Sequence, residues 1–141
     1  MVKEQAVAEI RAVLSGMAER YAAMDADGVV ATFVDDDIVL VGTGADEVRF
    51  GLAEARAQVE RDISQADDLS ASIENLRVNV VGDTAFTYAD MTFRGSADGE
   101  SFEIPVRATN GLIHTDDGWR IAQFHVSVAS GEQAEGESFP D

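Results

Sequence analysis

The stretch that decides the fold is WRIAQFHVS, Trp119 to Ser127, near the end of the chain. The pair Asp117-Gly118 comes directly before it and is typical of a tight hairpin turn. Side chains of different character alternate along this stretch with a period of two, which predicts a strand of a sheet. Because the stretch holds the only Trp and one of only two His residues, two interpretations are open. Either the stretch is a row of catalytic residues on a strand, or its residues serve packing and assembly.

The same period of two extends over the second half of the chain. The predicted strands are at about 70–81, 84–94, 101–115 and 119–129. The turns between them are predicted at Gly82-Asp83, Asp98-Gly99 and Asp117-Gly118. Short turns of this kind join neighbouring antiparallel strands, so we expect most of the sheet to be antiparallel.

The first half of the chain has helical periodicity instead. The first predicted helix carries six apolar residues on one face, at Val7, Ile10, Leu14, Met17, Tyr21 and Met24. A short second helix follows from Asp27, and a third begins after Gly51 with a stripe at Leu52, Ala55, Val59 and Ile63. Between them, DIVLVGTG and EVRFG read as two short strands. Helices followed by a run of antiparallel strands predict an α+β fold, with the helices on one face of a curved sheet.

The composition narrows the function classes. The chain has 141 residues, a formal net charge of −17, a single Lys and no Cys. Such a charge repels phosphate backbones and anionic lipids, so we expect no nucleic acid or membrane partner. There is no secretion signal pattern and no apolar run near the roughly 20 residues of a membrane span, so a cytoplasmic location is expected. We predict a single domain over 1–130 and an acidic, flexible tail over 131–141.

Three segments resemble the nuclear transport factor 2-like superfamily, in particular its SnoaL-like domains. They are RYAAMDADGVVATFVDDD (20–37), GTGADEVRFGLAEAR (42–56) and DDGWRIAQFHVS (116–127). The front segment is similar to the start of ketosteroid isomerases. The last strand is similar to the association domain of calcium/calmodulin-dependent protein kinase II. The resemblance covers roughly residues 5–130 and implies a cone-like fold, with three N-terminal helices packed on a curved, mostly antiparallel sheet. It leaves the activity open, because this superfamily includes both enzymes and assembly modules.

The ketosteroid isomerase site carries over only in part. In that family a Tyr on the first helix stabilises the developing oxyanion, and Tyr21 stands at the matching position. The general base falls at or near Val41, and the second donor near Val106 or Arg107. Because Val41 cannot take a proton, the resemblance does not imply steroid isomerisation.

Arg107 is a candidate ligand-binding residue. A two-residue turn at Asp117-Gly118 places its side chain on the same sheet face as Phe124 and Val126, which we expect to be the inner face. The guanidinium group is suited to bind a carboxylate in bidentate fashion. The alternative is a structural ion pair with one of the many acidic residues.

Tyr88, Asp90 and His125 are the other polar candidates. Tyr88 and Asp90 share a face of one strand; facing inward, they would be pocket groups with Asp90 as a desolvated base, and facing outward they would be interface residues. His125 is a candidate general acid or base, or an outer-face residue of a dimer. Ser127 is two residues from His125, which is poor geometry for a nucleophilic pair.

No metal site or cofactor is expected. Neither His has the spacing of a metal motif, and the run Asp35–Asp37 lacks the pattern of a calcium loop. The segment GTGADE lacks the Lys-Ser/Thr of a phosphate loop. We expect it to form the rim of a pocket, with Glu47 or Arg49 near the entrance.

Two functions follow from these candidates. The first is a SnoaL-like domain that binds a small organic molecule, a carboxylate being one class, through Arg107, Tyr88 and Tyr21. It would act as a cofactor-independent isomerase, dehydratase or cyclase, with Asp90 or His125 as base and Tyr21 as oxyanion donor. The second is a non-enzymatic dimerisation, assembly or ligand-binding module. In both cases we expect a homodimer.

Overall fold

The computed structural model describes residues 2–140 and has three helices and six strands in that range. In chain order they are α1 (Lys3–Ala22), α2 (Ala26–Val30), β1 (Val39–Val41), β2 (Val48–Phe50), α3 (Leu52–Ser64), β3 (Asp68–Val81), β4 (Thr84–Ala97), β5 (Glu100–Thr115) and β6 (Gly118–Ser127). The predicted α+β class is confirmed. Two helices precede the first strand, and the third is inserted between β2 and β3.

The six strands form one curved sheet in the order β2-β1-β6-β5-β4-β3. All neighbouring pairs are antiparallel except β1 with β6, which run parallel. A parallel pair needs a long connection, and here the whole segment from β2 to β5 supplies it. The short β1–β2 hairpin therefore lies beside the last strand of the chain, at one edge of the sheet.

The helices cover one face of this sheet, here called the inner face. From α1, the predicted apolar stripe buries Ile10, Leu14 and Met17 in the core. From α3, Ala55 and Val59 are buried in the same core. At roughly 25 cal/mol per Å² of apolar surface, burial of such side chains is the main force that holds the helices against the sheet.

The register of β5 and β6 differs from the prediction. The turn is one residue earlier than predicted, because Thr115 pairs with Gly118 and Asp116-Asp117 make the loop. Farther along, Gly111 pairs with Gln123 and Leu112 with Ile121, which leaves Ala122 as the extra residue of a β-bulge.

The earlier turn moves the register by two residues and leaves the faces unchanged, whereas the bulge moves it by one residue and exchanges the faces of β6 relative to β5. The buried residues of β5 are Val106, Ala108, Asn110 and Leu112. The prediction that Arg107 faces inward is therefore wrong, because Arg107 alternates with these residues and is exposed. On β6 Phe124 and Val126 face inward as predicted, but the bulge places them opposite Asn110 and Ala108 and not on the face of Arg107.

The opposite face, here called the outer face, is open to solvent in the chain as described. It carries exposed side chains of β4, β5 and β6: Phe86, Asp90, Arg107, Thr109, Gln123 and His125. Residues 128–140 follow β6 without helix or strand and are exposed. Residue 141 of the predicted tail lies outside the described residues. None of the helices in the part of the chain described is long and apolar enough to cross a membrane.

Candidate functional site

A cavity of about 360 Å³ lies between the helices and the inner face of the sheet. Its volume falls within the usual range of small-molecule sites, which begins at about 300 Å³. Five aromatic side chains line it: Tyr21, Phe33, Phe93, Phe102 and Phe124. Aliphatic residues fill much of the remaining wall, so a ligand there would be largely removed from water.

One wall of the cavity is polar and is built around Asp62. Tyr21 donates a hydrogen bond from its hydroxyl to Asp62 Oδ2. The amide Nε2 of Gln58 donates to Asp62 Oδ1 at 2.7 Å and to Glu47 Oε1 at 3.0 Å. On the other side, Gln58 Oε1 accepts from Arg49 Nε at 3.1 Å, which fixes the orientation of the amide. These residues, without Arg49, are here called the acidic wall: Tyr21, Glu47, Gln58 and Asp62.

Three elements bring the acidic wall together. Gln58 and Asp62 lie one turn apart on α3, so their side chains point the same way. The last turn of α1 supplies Tyr21, and the β1–β2 connection supplies Glu47. Gln58 is buried to 2% exposure, and both N–H groups and the oxygen of its amide have hydrogen-bond partners. The wall is thus a connected hydrogen-bond network rather than a set of separate polar groups.

Burial raises the pKa of the Asp62 carboxyl above its ordinary value. The hydrogen bonds from Tyr21 and Gln58 act in the opposite direction, and the nearby charge of Glu47 raises the pKa further. The pKa of Tyr21 is also raised, first by burial and then by the charge of Asp62. A carboxyl group held this way is a better proton acceptor at neutral pH than an ordinary aspartate.

The loop between β1 and β2 folds around Glu47. Gly44 donates its backbone N–H to Glu47 Oε2, and Arg61 Nη2 lies 3.6 Å from Glu47 Oε1. A Cβ atom at Gly42 or Gly44 would crowd the Glu47 side chain. Both glycines are therefore explained by close approach to this carboxylate. The prediction that Glu47 lies near the pocket is confirmed, since Glu47 lines the cavity.

Of the predicted catalytic and ligand-binding residues, only Tyr21 lines the cavity. Asp90 and Tyr88 lie on the outer face, where Tyr88 donates to Asp90 Oδ1 at 2.6 Å and Asn75 donates to Asp90 Oδ2 at 2.8 Å. These hydrogen bonds lower the pKa of Asp90. Asp90 is thus exposed and stabilised as a carboxylate, which is the opposite of the desolvated base expected for an inward-facing residue.

Arg107 and His125 also lie on the outer face. Arg107 on β5 lies opposite Asp90 on β4 in the strand register, and its Nε donates to Ser127 Oγ at 3.1 Å. His125 is exposed and lies opposite Thr109 on β5. The structure brings Arg107 close to Asp90 and Ser127, but it separates all of them from the cavity by the thickness of the sheet. Their predicted roles in ligand binding and catalysis remain predictions.

Asp62 and Gln58 were not among the residues predicted from the sequence. A signal was present, because Ala55, Gln58, Val59 and Asp62 follow one another at steps of three, one and three, which places them on one helix face. A carboxylate on an otherwise buried stripe indicates a functional or paired residue. The predicted stripe recorded only its apolar members. Within residues 2–140, no three His, Asp or Glu side chains converge as a metal site would require.

The chain is similar in sequence to one described family. It matches the model of the SnoaL-like domain over residues 10–131. No curated protein is significantly similar to it.

Several solved structures share the fold. A candidate dehydratase of the NTF2-like family from Streptomyces avermitilis has a TM-score of 0.84 at 18% identity, covering 91% of this chain and 99% of its own. A candidate calcium/calmodulin-dependent protein kinase II association domain from Xanthomonas campestris has a TM-score of 0.77 at 21% identity, covering 87% of each chain.

A candidate scytalone dehydratase from Novosphingobium aromaticivorans has a TM-score of 0.78 at 11% identity, with 85% of this chain and 81% of that one covered. At these identities the likeness shows the fold alone. The family match, the α+β architecture and the cavity between helices and sheet agree. The chain belongs to the SnoaL-like domain family, and it shares the fold of a solved nuclear transport factor 2-like structure.

Proposed function

We propose that the protein binds a small, largely apolar organic molecule in the cavity and catalyses proton transfer on it without a cofactor. Isomerisation, dehydration and cyclisation are the reaction classes. The observation that carries the proposal is the half-buried carboxyl of Asp62, which has a raised pKa and lies on the wall of an aromatic cavity.

Asp62 is the general base in this proposal. Its carboxylate would accept a proton from a carbon or hydroxyl group of the ligand and return it to another atom. Gln58 positions the carboxylate through its 2.7 Å hydrogen bond, and the aromatic lining keeps water away from the reacting atoms. Tyr21 keeps its predicted role as oxyanion donor; for this its hydroxyl turns from Asp62 to the ligand oxygen.

The base is therefore proposed at Asp62 rather than at Asp90 or His125, because both of these lie on the outer face. Because Arg107 also lies on the outer face, the cavity gives no support to the prediction that Arg107 binds a carboxylate ligand. Arg107 and Tyr88 are instead proposed as residues of an assembly surface, the alternative given by the sequence for an outward direction.

Proton transfer can be tested without knowing the natural substrate. A panel of one- and two-ring ketones, such as cyclohexanone and 1-tetralone, is incubated with the protein in D₂O. Deuterium incorporation next to the carbonyl is then followed by NMR. We expect exchange above the buffer rate with the wild type and a loss of about 10²-fold or more in Asp62→Asn, the usual contribution of a general base. Glu60→Gln removes an equal charge from the exposed side of α3 and is the matched control.

Two results would contradict the proposal. One is exchange in Asp62→Asn at the wild-type rate. The other is a wild-type protein that accelerates exchange of no ketone in the panel.

Assembly through the outer face is the second candidate function. Phe86 is 61% exposed on this face, and Val81 and Ile113 are also large and exposed. Along one row of the sheet Glu74, Asp90 and Arg107 are neighbours, so charges of both signs meet there. On a chain with a net charge of −17, such a face lets a second copy approach without strong repulsion.

Light scattering at micromolar concentration, in low and molar salt, tests this second function. We expect a dimer that Phe86→Asp converts to a monomer. Phe139→Asp changes an exposed Phe of the tail and serves as the control. A wild-type monomer at both salt concentrations would defeat the assembly function and leave the proposed catalysis untouched.

A further inference from the structure

We infer that the cavity selects ring compounds that present a hydrogen-bond donor and carry no negative charge, so that arylalkyl amines, which are cations at neutral pH, bind more tightly than the corresponding alcohols and carboxylates bind worst. This inference rests on the proposed function only in using the same cavity. It names the substrate class that the acidic wall admits.

The hydrogen-bond donors of the acidic wall are already used within the protein. The hydroxyl of Tyr21 donates to Asp62, and the two N–H groups of Gln58 go to Asp62 and Glu47. What the wall still offers a ligand is acceptor capacity, on the two carboxylates and on the Tyr21 oxygen. A ligand that approaches with a donor finds a partner at once, whereas an acceptor first has to take the Tyr21 hydroxyl away from Asp62.

The charges around the cavity act in the same direction. Glu47 and Asp62 both line it, and none of the lining residues is Lys, Arg or His. The nearest guanidinium groups have partners in the protein. Arg49 donates to Gln58, and Arg61 lies 2.8 Å from Asp46 and 3.6 Å from Glu47. An anionic ligand would therefore enter a poorly solvated site without a free cation, which is electrostatically costly.

The apolar part of the cavity lining favours a ring compound as the ligand. Four Phe residues line the cavity: Phe33, Phe93, Phe102 and Phe124. They provide apolar contact area and negative ring faces, which attract a cation more than an anion. Thr43 and Gln65 also line the cavity, but both are uncharged and Gln65 is exposed, so they do not compensate an anion.

Three probes of nearly equal size test the inference: benzylamine, benzyl alcohol and benzoate. Their dissociation constants are measured by NMR titration, with the side-chain amide signals of Gln58 as reporter of the cavity. The buffer contains about 0.3 M NaCl, because salt at this concentration screens attraction by the net surface charge. We expect benzylamine to bind at least about tenfold more tightly than benzoate, the lower range for a charge-assisted hydrogen bond.

The charge variants locate the effect. In Asp62→Asn and Glu47→Gln we expect the ratio of benzylamine to benzoate affinity to fall several-fold, with benzyl alcohol changed least. Glu60→Gln changes the net charge equally but lies outside the cavity, and it should leave the ratio unchanged.

The inference is overturned if benzoate binds the wild type as tightly as benzylamine, or if the ratio is the same in all variants. It is also overturned if none of the three probes shifts the Gln58 signals at millimolar concentration. The proposed function fails by a different result, namely ketone exchange that persists in Asp62→Asn. Each can therefore fail alone.

Discussion

Two Tyr–Asp pairs in this protein have the same chemistry and opposite electrostatic outcomes. In the cavity, Tyr21 donates to Asp62, and the pKa of Asp62 is raised. On the outer face, Tyr88 donates to Asp90, and the pKa of Asp90 is lowered. The hydrogen bond acts in the same direction in both pairs. Burial exceeds it at Asp62, whereas Asp90 is exposed and has little to oppose its hydrogen bonds.

A carboxylate with a tyrosine partner is therefore not by itself a catalytic site. What distinguishes the inner pair is its location on the wall of an apolar cavity, where a proton held by Asp62 is shielded from water. The outer pair lies on the surface, where Asn75 also donates to Asp90 and Arg107 lies opposite Asp90 on β5.

The largest difference is expected in catalysis. Asp62→Asn should lower the rate of ketone deuterium exchange by about 10²- to 10⁴-fold, the range attributed to a general acid or base. Asp90→Asn should leave the rate within about twofold, because Asp90 cannot reach the cavity. Equal losses in the two variants would mean that the outer face participates in the reaction.

The next largest difference is expected in stability, at two adjacent residues of β5. Leu112 is 1% exposed on the inner face, and Ile113 is 42% exposed on the outer face. Leu112→Ala should lower the free energy of unfolding by about 2–5 kcal/mol through the cavity it leaves. Ile113→Ala should cost roughly 0.5 kcal/mol or less. Urea unfolding measures both, and a large loss at Ile113 would indicate that the outer face is covered in solution.

A smaller difference is expected between the tyrosines. Tyr21→Phe leaves the half-buried Asp62 with one hydrogen-bond donor fewer and should lower the free energy of unfolding by about 1–3 kcal/mol at neutral pH. Tyr88→Phe should leave the free energy of unfolding almost unchanged, since water can replace the hydroxyl of Tyr88.

The cost of Tyr21→Phe should shrink in alkaline solution. The pKa of Tyr21 is raised in the folded protein, so the wild type loses stability as pH rises above the unfolded value of roughly 10. The variant has no such group to titrate. Urea unfolding at pH 8 and pH 11 measures the change, and a cost that stays constant would argue against a raised pKa.

The smallest expected effect is the pH dependence of Asp62 itself. Because its pKa is raised in the folded state, the folded protein binds its proton more tightly than the unfolded chain does. The wild type therefore loses stability as pH rises from roughly 3.9, the unfolded value, through the raised folded value. Asp62→Asn lacks this loss, so the stability of the variant relative to the wild type should increase over that window.

Asp90→Asn should show the opposite trend. The folded pKa of Asp90 is lowered, so its contribution is present above the unfolded value and is lost as pH falls through the folded value. Relative to the wild type, Asp90→Asn should therefore improve as pH falls. Trends of the same sign in the two variants would contradict the comparison.

The sequence predicted the inner architecture better than the site. The apolar spacing of α1 placed Tyr21 correctly on the buried side, and the turn pairs predicted the strand order along the chain. The site was missed because its central residues interrupt an apolar pattern rather than form a motif. Asp62 and Gln58 become meaningful only when α3 packs over the sheet and Glu47 folds back from the β1–β2 loop.

The direction of Arg107 could not be predicted because it depends on the bulge at Ala122. The turn at Asp116-Asp117 is one residue earlier than the Asp-Gly pair suggests, which moves the register by two residues and keeps the faces, whereas the bulge moves it by one residue. Since side chains alternate across a strand, this one-residue shift exchanges the faces of β6 relative to β5. No residue type in the stretch marks the bulge.

The bulge at Ala122 also affects how related sequences should be aligned. All observed pairs on both sides of it, from Arg107 with Ser127 to Thr115 with Gly118, can form without Ala122. A relative that lacks this one residue would have an uninterrupted last strand and would keep Phe124 inward and His125 outward. A single-residue gap at this place is therefore neutral for the fold. An alignment forced through it without a gap would assign the residues of one face to the other.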